Sequence, residues 1–343
     1  MRVLLALGGN AMTAEGSATP EAQQAAIADA MESVAGLIAA GHEVVITHGN
    51  GPQVGNLLVK NELAAAVVPP VPLDWCGAQT QATIGFTIMN SLEQSLSRRG
   101  CEPHIAAIVT RTRVDENDPG FTNPTKPIGR FLPYDQAKPL IEEHGQVWHD
   151  RGEKGWRRMV ASPAPLEVLE TTTVLTLIAA GYVVVAAGGG GIPVVRGPQG
   201  EVRGVEAVID KDLSAAILAR SVGADVLMIA TDVDHAIIGF ETPTAAPVRS
   251  VSVEEMRELA AGGHFASGSM GPKVAAAMQF VDQGGRRAVI TSLKHIQAAV
   301  TGDYGTVIQG HSDPCQSPAD AVRGSVGTKT NLPQNNSLQN NER

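Results

Sequence analysis

Val3-Leu-Leu-Ala-Leu7 runs directly into Gly8-Gly9-Asn10, so an apolar, strand-like run ends in a glycine turn. The same pattern recurs in His48-Gly-Asn-Gly-Pro-Gln53 after Val44-Val-Ile46, and in Gly188-Gly-Gly-Gly191 after Val183-Val-Val185. Glycine lets a ligand approach backbone N–H groups closely, and the N-terminus of a following helix is electropositive, so such turns favour anions. Three of them in one chain predict a site built around phosphate.

Strand-like and helix-like segments alternate along most of the chain, which predicts an α/β fold with a mainly parallel sheet covered on both faces. Strands are predicted at residues 3–7, 43–47, 105–109, 183–187, 226–230, 288–291 and 306–308, with a hairpin formed by 192–195 and 202–205. Helices are predicted around 27–38 and at 53–66, 74–96, 171–180, 212–220, 254–261 and 272–283.

Two stretches depart from this alternation. Residues 115–165 are rich in Pro, Gly, Arg and Lys and contain Trp148 and Trp156, which we expect to be packing residues. A connection of this length predicts a functional lid or a small subdomain. From His311 onward the chain is polar, and we predict a disordered tail without a catalytic role.

Net charge, cysteine spacing and the length of apolar runs exclude several classes of function. The chain has 343 residues and a net charge of −9, which argues against nucleic acid as the main partner but leaves room for a small anionic ligand. Cys76, Cys101 and Cys315 form no C-x-x-C pair, which favours a reducing cytoplasm over a disulfide framework or a zinc site. No apolar run approaches the length of a membrane span, and the short N-terminal run predicts a strand instead of a signal peptide.

Three lysines lie in unusual surroundings. Lys126 is flanked by Pro124 and Pro127, Lys211 stands at the predicted mouth of a helix, and Lys273 follows Pro272 in a predicted first helical turn. A lysine in a first helical turn opposes the helix dipole, and this is tolerated more readily when an anion is bound at the same place. Each lysine alone could equally be a solvated surface charge, but the glycine and proline around all three favour phosphate binding.

Familiar phosphate and hydrolase motifs are missing: the chain has no P-loop, no dinucleotide-binding fingerprint and no G-x-S-x-G. Asp210 and Asp212 flank Lys211 and could be simple helix N-caps. We interpret His48 as a structural hydrogen-bonding residue and assign it no chemistry.

Six motifs together resemble the carbamate kinases, a branch of the amino acid kinase superfamily. They are Gly8-Gly-Asn-Ala11, His48-Gly-Asn-Gly-Pro-Gln-Val-Gly-Asn56, Asn123-Pro-Thr-Lys-Pro-Ile-Gly129, Gly188-Gly-Gly-Gly-Ile-Pro193, Gly204-Val-Glu-Ala-Val-Ile-Asp-Lys-Asp212, and Gly263-His-Phe-Ala266 with Gly268-Ser-Met270. The resemblance spans about residues 3–308. Its most distinctive part is the Asn-Pro-Thr-Lys-Pro-Ile-Gly loop, which other branches lack.

The resemblance implies a three-layer α/β/α sandwich with an open, mainly parallel eight-stranded sheet and a protruding lid subdomain at about 118–160. Within a domain of residues 1–310, the lobe of about 1–205 would bind carbamate or carbamoyl phosphate. The lobe of about 206–310 would bind ATP or ADP with Mg²⁺. The family also implies a homodimer.

The resemblance further implies roles for individual residues. Catalysis would fall to Lys126, Lys211, Lys273 and Asp212, with Asp212 orienting Lys211 and Lys273. Substrate would be bound by Gly8, Gly9, Asn10, Gly49, Asn50, Gly51, Gly189 and Gly190. Nucleotide would be bound by Asp210, Lys211, Thr231, Asp232, Val233, Ser269, Met270 and Lys273. No metal-ligating side chains are predicted.

Some positions depart from the family pattern. Arg130 replaces a common proline, Ala161 and Ala164 stand in a segment that often carries a lysine, and Phe86-Thr-Ile88 replaces an aromatic-rich stretch. These changes concern lid closure and the dimer side, and they leave the glycine turns intact. Two alternatives stay open: another acyl-phosphate-forming amino acid kinase, and a catalytically silent carbamoyl-phosphate-binding protein. The three retained lysines count against the silent protein.

Overall fold

The first glycine-ended run becomes strand β1, Arg2–Leu7, which lies inside an eight-stranded sheet. The structure is a computed structural model that describes residues 1–9, 19–102, 104–265 and 269–310. The other strands are β2 Glu43–His48, β3 Ile105–Ala107, β4 Arg111–Val114, β5 Lys126–Leu132, β6 Val147–Asp150, β7 Trp156–Val160, β8 Pro165–Val168, β9 Val183–Val185, β10 Ile192–Arg196, β11 Val202–Gly204, β12 Val226–Thr231, β13 Ile237–Ile238, β14 Ala246–Pro247, β15 Ser250–Ser252, β16 Arg287–Ser292 and β17 Thr306–Gln309.

The helices follow the predicted alternation. They are α1 Pro20–Ala39, α2 Gly51–Ala64, α3 Leu73–Ser97, α4 Pro119–Thr122, α5 Tyr134–Glu142, α6 Thr171–Ala179, α7 Lys211–Ser221, α8 Val253–Ala261, α9 Met270–Asp282 and α10 Ile296–Ala299. Because α9 begins at Met270 and not at Pro272, Lys273 is its fourth residue. None of the helices in the described ranges has the length and apolar character needed to cross a membrane.

The main sheet has the strand order β15-β17-β16-β12-β1-β2-β9-β3. The six strands from β16 to β3 run parallel, whereas β17 pairs with β16 in the antiparallel sense and β15 follows the direction of β17. The prediction of an open, mainly parallel eight-stranded sheet is confirmed. Parallel strands bring their carboxyl ends to one edge, where ligands of open α/β sheets bind.

Helices cover the sheet on both faces, as the near-continuous apolar strands predict. In β1, Leu4 and Ala6 join one core with residues of α7 and α9, while Leu5 and Leu7 join a second core with residues of α1 and α3. All four of these β1 side chains are fully buried. The three-layer α/β/α prediction is therefore confirmed.

A second, four-stranded sheet has the order β11-β10-β4-β8. Its β10–β11 hairpin was predicted, but β4 and β8 were not. Arg111 and Arg113 of β4 form ion pairs with Glu170 and Glu167, respectively. In the sequence these arginines indicate a loop, whereas in the structure their charges are paired and the segment is a strand. The predicted strand 105–109 correspondingly stops at Ala107.

Residues 126–160 form what we call the small lobe. It consists of an antiparallel sheet in the order β5-β7-β6 together with α5. Leu132, Ala137 and Trp148 form its own apolar cluster, against which Trp156 packs, so both tryptophans are packing residues as expected. The predicted tail, 311–343, lies outside the described residues.

Candidate functional site

A cavity of about 1340 Å³ opens at the edge of the sheet where the glycine turns lie. Its walls come from the turns after β1, β2 and β9, the first turns of α7 and α9, and the small lobe. The predicted site residues on these walls are Gly9, Gly49, Asn50, Gly51, Lys126, Gly189, Asp210, Lys211, Asp212, Ser269 and Lys273. The structure thus brings residues from both halves of the chain to one place.

The three glycine turns touch one another. A Cβ atom at Gly49 would lie 2.8 Å from the backbone nitrogen of Gly9, and one at Gly189 would lie 2.0 Å from Nδ2 of Asn50. Gly189 also has a φ of +67°, a left-handed conformation that favours glycine. The same Nδ2 of Asn50 donates to Oγ1 of Thr80 at 2.9 Å, which fixes the turn after β2 against α3. Glycine is therefore needed for the turns to meet.

Asp210 links the start of α7 to the small lobe. Its Oδ1 accepts hydrogen bonds from the backbone N–H groups of Asp212, at 2.9 Å, and Leu213, at 3.3 Å, as an N-cap does. Its Oδ2 accepts from Nζ of Lys126 at 2.7 Å. The capping interpretation therefore holds for Asp210, and the same carboxylate also positions a lysine of β5.

Asp212 lies two residues after Asp210, in the first turn of α7, and its carboxylate contacts the other two lysines. It is nearly buried, and its carboxylate accepts a short hydrogen bond from Nζ of Lys211 and one of 3.4 Å from Nζ of Lys273. Burial raises the pKa of Asp212, but the ammonium groups of Lys211 and Lys273 outweigh burial and bring it below its ordinary value. Asp212 is therefore an anion that lies between the ammonium groups of Lys211 and Lys273 and fixes their positions.

Some predicted residues lie within the described ranges but not on the cavity wall: Gly8, Gly190, Thr231, Asp232, Val233 and Met270. Gly8 instead donates its N–H to the carbonyl of Ala230 at 2.9 Å, and the Gly190 carbonyl accepts from the hydroxyls of Thr112 and Ser214. The ligand roles of these six residues stay predictions. Asn10 and Gly268 lie outside the described residues.

Sequence reasoning missed one group of wall residues, the small-lobe cations Arg151, Lys154 and Arg157. They lie in Asp150-Arg-Gly-Glu-Lys-Gly-Trp-Arg157, a stretch already notable for its basic residues. The signal that could have found them is the crowding of cations beside two glycines. The sequence predicts no regular structure in this stretch that would direct these cations toward the glycine turns.

His48 is buried beneath the site. Its Nδ1 lies 3.0 Å from the carbonyl oxygen of Gly49, and a Cβ atom at Gly188 would lie 2.3 Å from its Nε2. Burial lowers the pKa of His48 to about 4, so its imidazole is neutral near pH 7. This agrees with a structural role.

The sequence model of the amino acid kinase family matches residues 1–292. A carbamate kinase of Pyrococcus furiosus is 44% identical over 310 residues, which is 90% of this chain and 98% of that relative. Carbamate kinase 1 of Enterococcus faecium is 42% identical over 311 residues, again covering 90% of this chain and 98% of the relative. The solved carbamate kinase of Giardia lamblia bound to AMP-PNP is 39% identical, with a TM-score of 0.85, covering 90% of this chain and 98% of that one.

The pKa of His48 gives a prediction about stability. Between pH 6.5 and 4 the unfolded chain binds a proton at His48 that the folded chain does not, so the free energy of unfolding falls as the pH falls. We expect this loss to be about 3 kcal/mol for a shift of this size. His48→Gln should flatten the pH dependence in this window, measured by urea unfolding at several pH values. Exposed His144→Gln is the control, and an equally flattened curve for it would contradict the assignment.

Proposed function

Because this chain belongs to the carbamate kinases of the amino acid kinase family, we propose that it transfers a phosphoryl group between carbamoyl phosphate and ADP. The products are ATP and carbamate, which breaks down to ammonia and CO2, and the same site catalyses the reverse reaction. The observation that carries the proposal is the convergence of Lys126, Lys211 and Lys273 on one cavity with the glycine turns. A wild-type assay for ATP from carbamoyl phosphate and ADP tests it directly.

The chemistry requires alignment and charge stabilisation more than covalent help. In phosphoryl transfer, negative charge is spread over the oxygens of the moving group, and fixed cations and N–H donors stabilise it. We assign this role to Lys126, Lys211 and Lys273, with the backbone of the turns at Gly9 and Gly49. Carbamate already carries an anionic oxygen, so no general base is needed.

We assign substrate and nucleotide to different walls of the cavity. The turns at residues 8–10, 49–51 and 189–190 would hold carbamate or carbamoyl phosphate, within a lobe of about 1–205. The residues at 210–211, 231–233, 269–270 and 273 would hold ADP or ATP, within a lobe of about 206–310. The AMP-PNP bound to the Giardia lamblia relative supports a nucleotide site in this family. We assign no catalytic role to residues after 310. The carbamate kinase of Pyrococcus furiosus aligns over 98% of its own length with 310 residues of this chain, so such an enzyme has little counterpart to the rest.

We further propose Mg²⁺ as the metal that accompanies the nucleotide. Within the described ranges, no group of three His, Cys, Asp or Glu side chains could hold a metal ion. The oxygen ligands would therefore come mainly from the nucleotide phosphates and water, as is common for Mg²⁺. The residues that stand beside those phosphates, Lys211 and Lys273, would bind and orient them.

A homodimer and a cytoplasmic location complete the proposal. Trp75 and Phe86 of α3 are 60% and 56% exposed, and Val109 is exposed just beyond edge strand β3. Large exposed apolar side chains on one side of a protein are typical of an association surface. Cys76 and Cys101 are free thiols, which suits a reducing compartment.

Removing the small-lobe lysine tests the charge-stabilising role. We expect Lys126→Ala to lower kcat for ATP formation by about 10²–10³-fold, the usual effect of losing one positioned donor. Lys138→Ala is the matched control, because Lys138 lies in the same lobe and its one ion pair among the described residues is with Glu142 at 3.9 Å. A Lys126→Ala variant with near-normal turnover would show that Lys126 does not act on the reacting group.

Neutralising the shared carboxylate tests the positioning of two lysines at once. Asp212→Asn keeps the size of the side chain but leaves Lys211 and Lys273 without their common anion. We expect kcat to fall by about 10²-fold or more, because the ammonium groups of Lys211 and Lys273 are no longer held in position beside the reacting phosphoryl group. Asp282→Asn is the control, because among the described residues the Asp282 carboxylate pairs with Arg257 alone, at the surface. A loss of the same size in both variants would contradict this role.

A further inference from the structure

The small lobe places cations on the cavity wall that have no carboxylate partner. Arg151, Lys154 and Arg157 line the cavity, and none of them forms an ion pair within the described residues. Three other basic side chains of the lobe are paired: Lys126 with Asp210, Arg130 with Glu62 and Lys138 with Glu142. Arg158 also forms no ion pair among the described residues but lies off the cavity wall, so the wall holds three of the four unpaired arginine and lysine side chains of the lobe.

Arg157 is held in a fixed position without being neutralised. Its guanidinium carbon lies 4.9 Å from the centre of the Phe131 ring, a cation–π arrangement across the β5–β7 pair. Its Nε is buried and has no hydrogen-bond partner within the described residues. A buried donor that no described residue meets leaves hydrogen-bonding capacity for a ligand that enters the cavity.

Arg151 adds a second guanidinium near the first. Burial, followed by the charge of Arg151, lowers the pKa of Arg157, so no carboxylate offsets the repulsion between these two cations. Among the described wall residues, six side chains are cationic and only Asp210 and Asp212 are acidic. A phosphate dianion is the ligand that relieves such a surplus, and the planar fork of arginine matches its oxygens.

We propose that Arg157, supported by Arg151, is a further substrate-binding residue and that it binds the phosphate group of carbamoyl phosphate. The proposal rests on the proposed function and adds a residue that recognises its acyl phosphate. Arg157 belongs to the same lobe as Lys126, whereas Lys273, assigned to the nucleotide, comes from the start of α9 on another wall. This placement favours the acyl phosphate over ADP as the partner of Arg157.

Steady-state kinetics of Arg157→Gln test the proposal. We expect the KM for carbamoyl phosphate to rise by about 10- to 100-fold, the range for losing a charge-assisted hydrogen bond, with the KM for ADP unchanged. Arg157→Lys keeps the charge but not the fork and should lie between the wild type and Arg157→Gln. Arg130→Gln, which removes an equal charge from the same lobe, should behave as the wild type.

Three results would overturn the proposal: an unchanged KM for carbamoyl phosphate, a rise confined to the KM for ADP, or a lowered melting temperature without a kinetic effect. The last would mean that Arg157 only packs on Phe131.

A second measurement separates this proposal from the function itself. Trp156 adjoins Arg157, so titration of the nucleotide-free protein with inorganic phosphate can be followed by tryptophan fluorescence. Phosphate should bind the wild type and Arg130→Gln alike, and about tenfold or more weakly to Arg157→Gln. If the wild type makes no ATP, the proposed function fails while this titration still tests phosphate binding at Arg157. Equal phosphate affinity in Arg157→Gln would overturn the inference even in an active enzyme.

Discussion

The buried carboxylate of Asp212 is the interaction on which the site depends. A buried anion is costly unless it is paired, and two ammonium groups at the same place would repel each other without it. Lys211 and Lys273 come from different helices, so their shared contact with Asp212 also joins α7 to α9. The sheet supplies the frame for this arrangement, because β1, β2 and β9 end at one edge and their turns touch.

Most of the frame could be predicted from the sequence, because its signals are local. Apolar runs such as Val3–Leu7 mark strands buried on both faces, and Gly41, with a φ of +84°, follows the C-cap residue Ala40 where the first helix ends. The lysines were found because Gly and Pro near Lys126, Lys211 and Lys273 are unusual neighbours for a plain surface charge. Their convergence at Asp210 and Asp212 required the resemblance to a known family as well.

The parts that could not be predicted depend on partners distant in sequence. Strand β4 carries Arg111 and Arg113, whose charges indicate a loop until Glu170 and Glu167 are seen beside them. The small lobe alternates prolines and charges, so its order is visible only once Leu132 and Trp148 are seen to pack together. The direction of Arg157 follows from the stacking on Phe131, which depends on the register of β5 against β7.

The divided use of Asp210 has a mechanical consequence. Oδ1 accepts the two capping hydrogen bonds of α7 and Oδ2 accepts the one from Lys126, so the bond to Lys126 can break while the capping bonds stay. A phosphate that attracts the Lys126 ammonium competes for a single oxygen and leaves the first turn of α7 closed. Lys126 of the small lobe can thus replace its bond to Asp210 by a bond to the ligand while the N-cap of α7 stays formed. Lys211, the first residue of α7, keeps its position during this exchange.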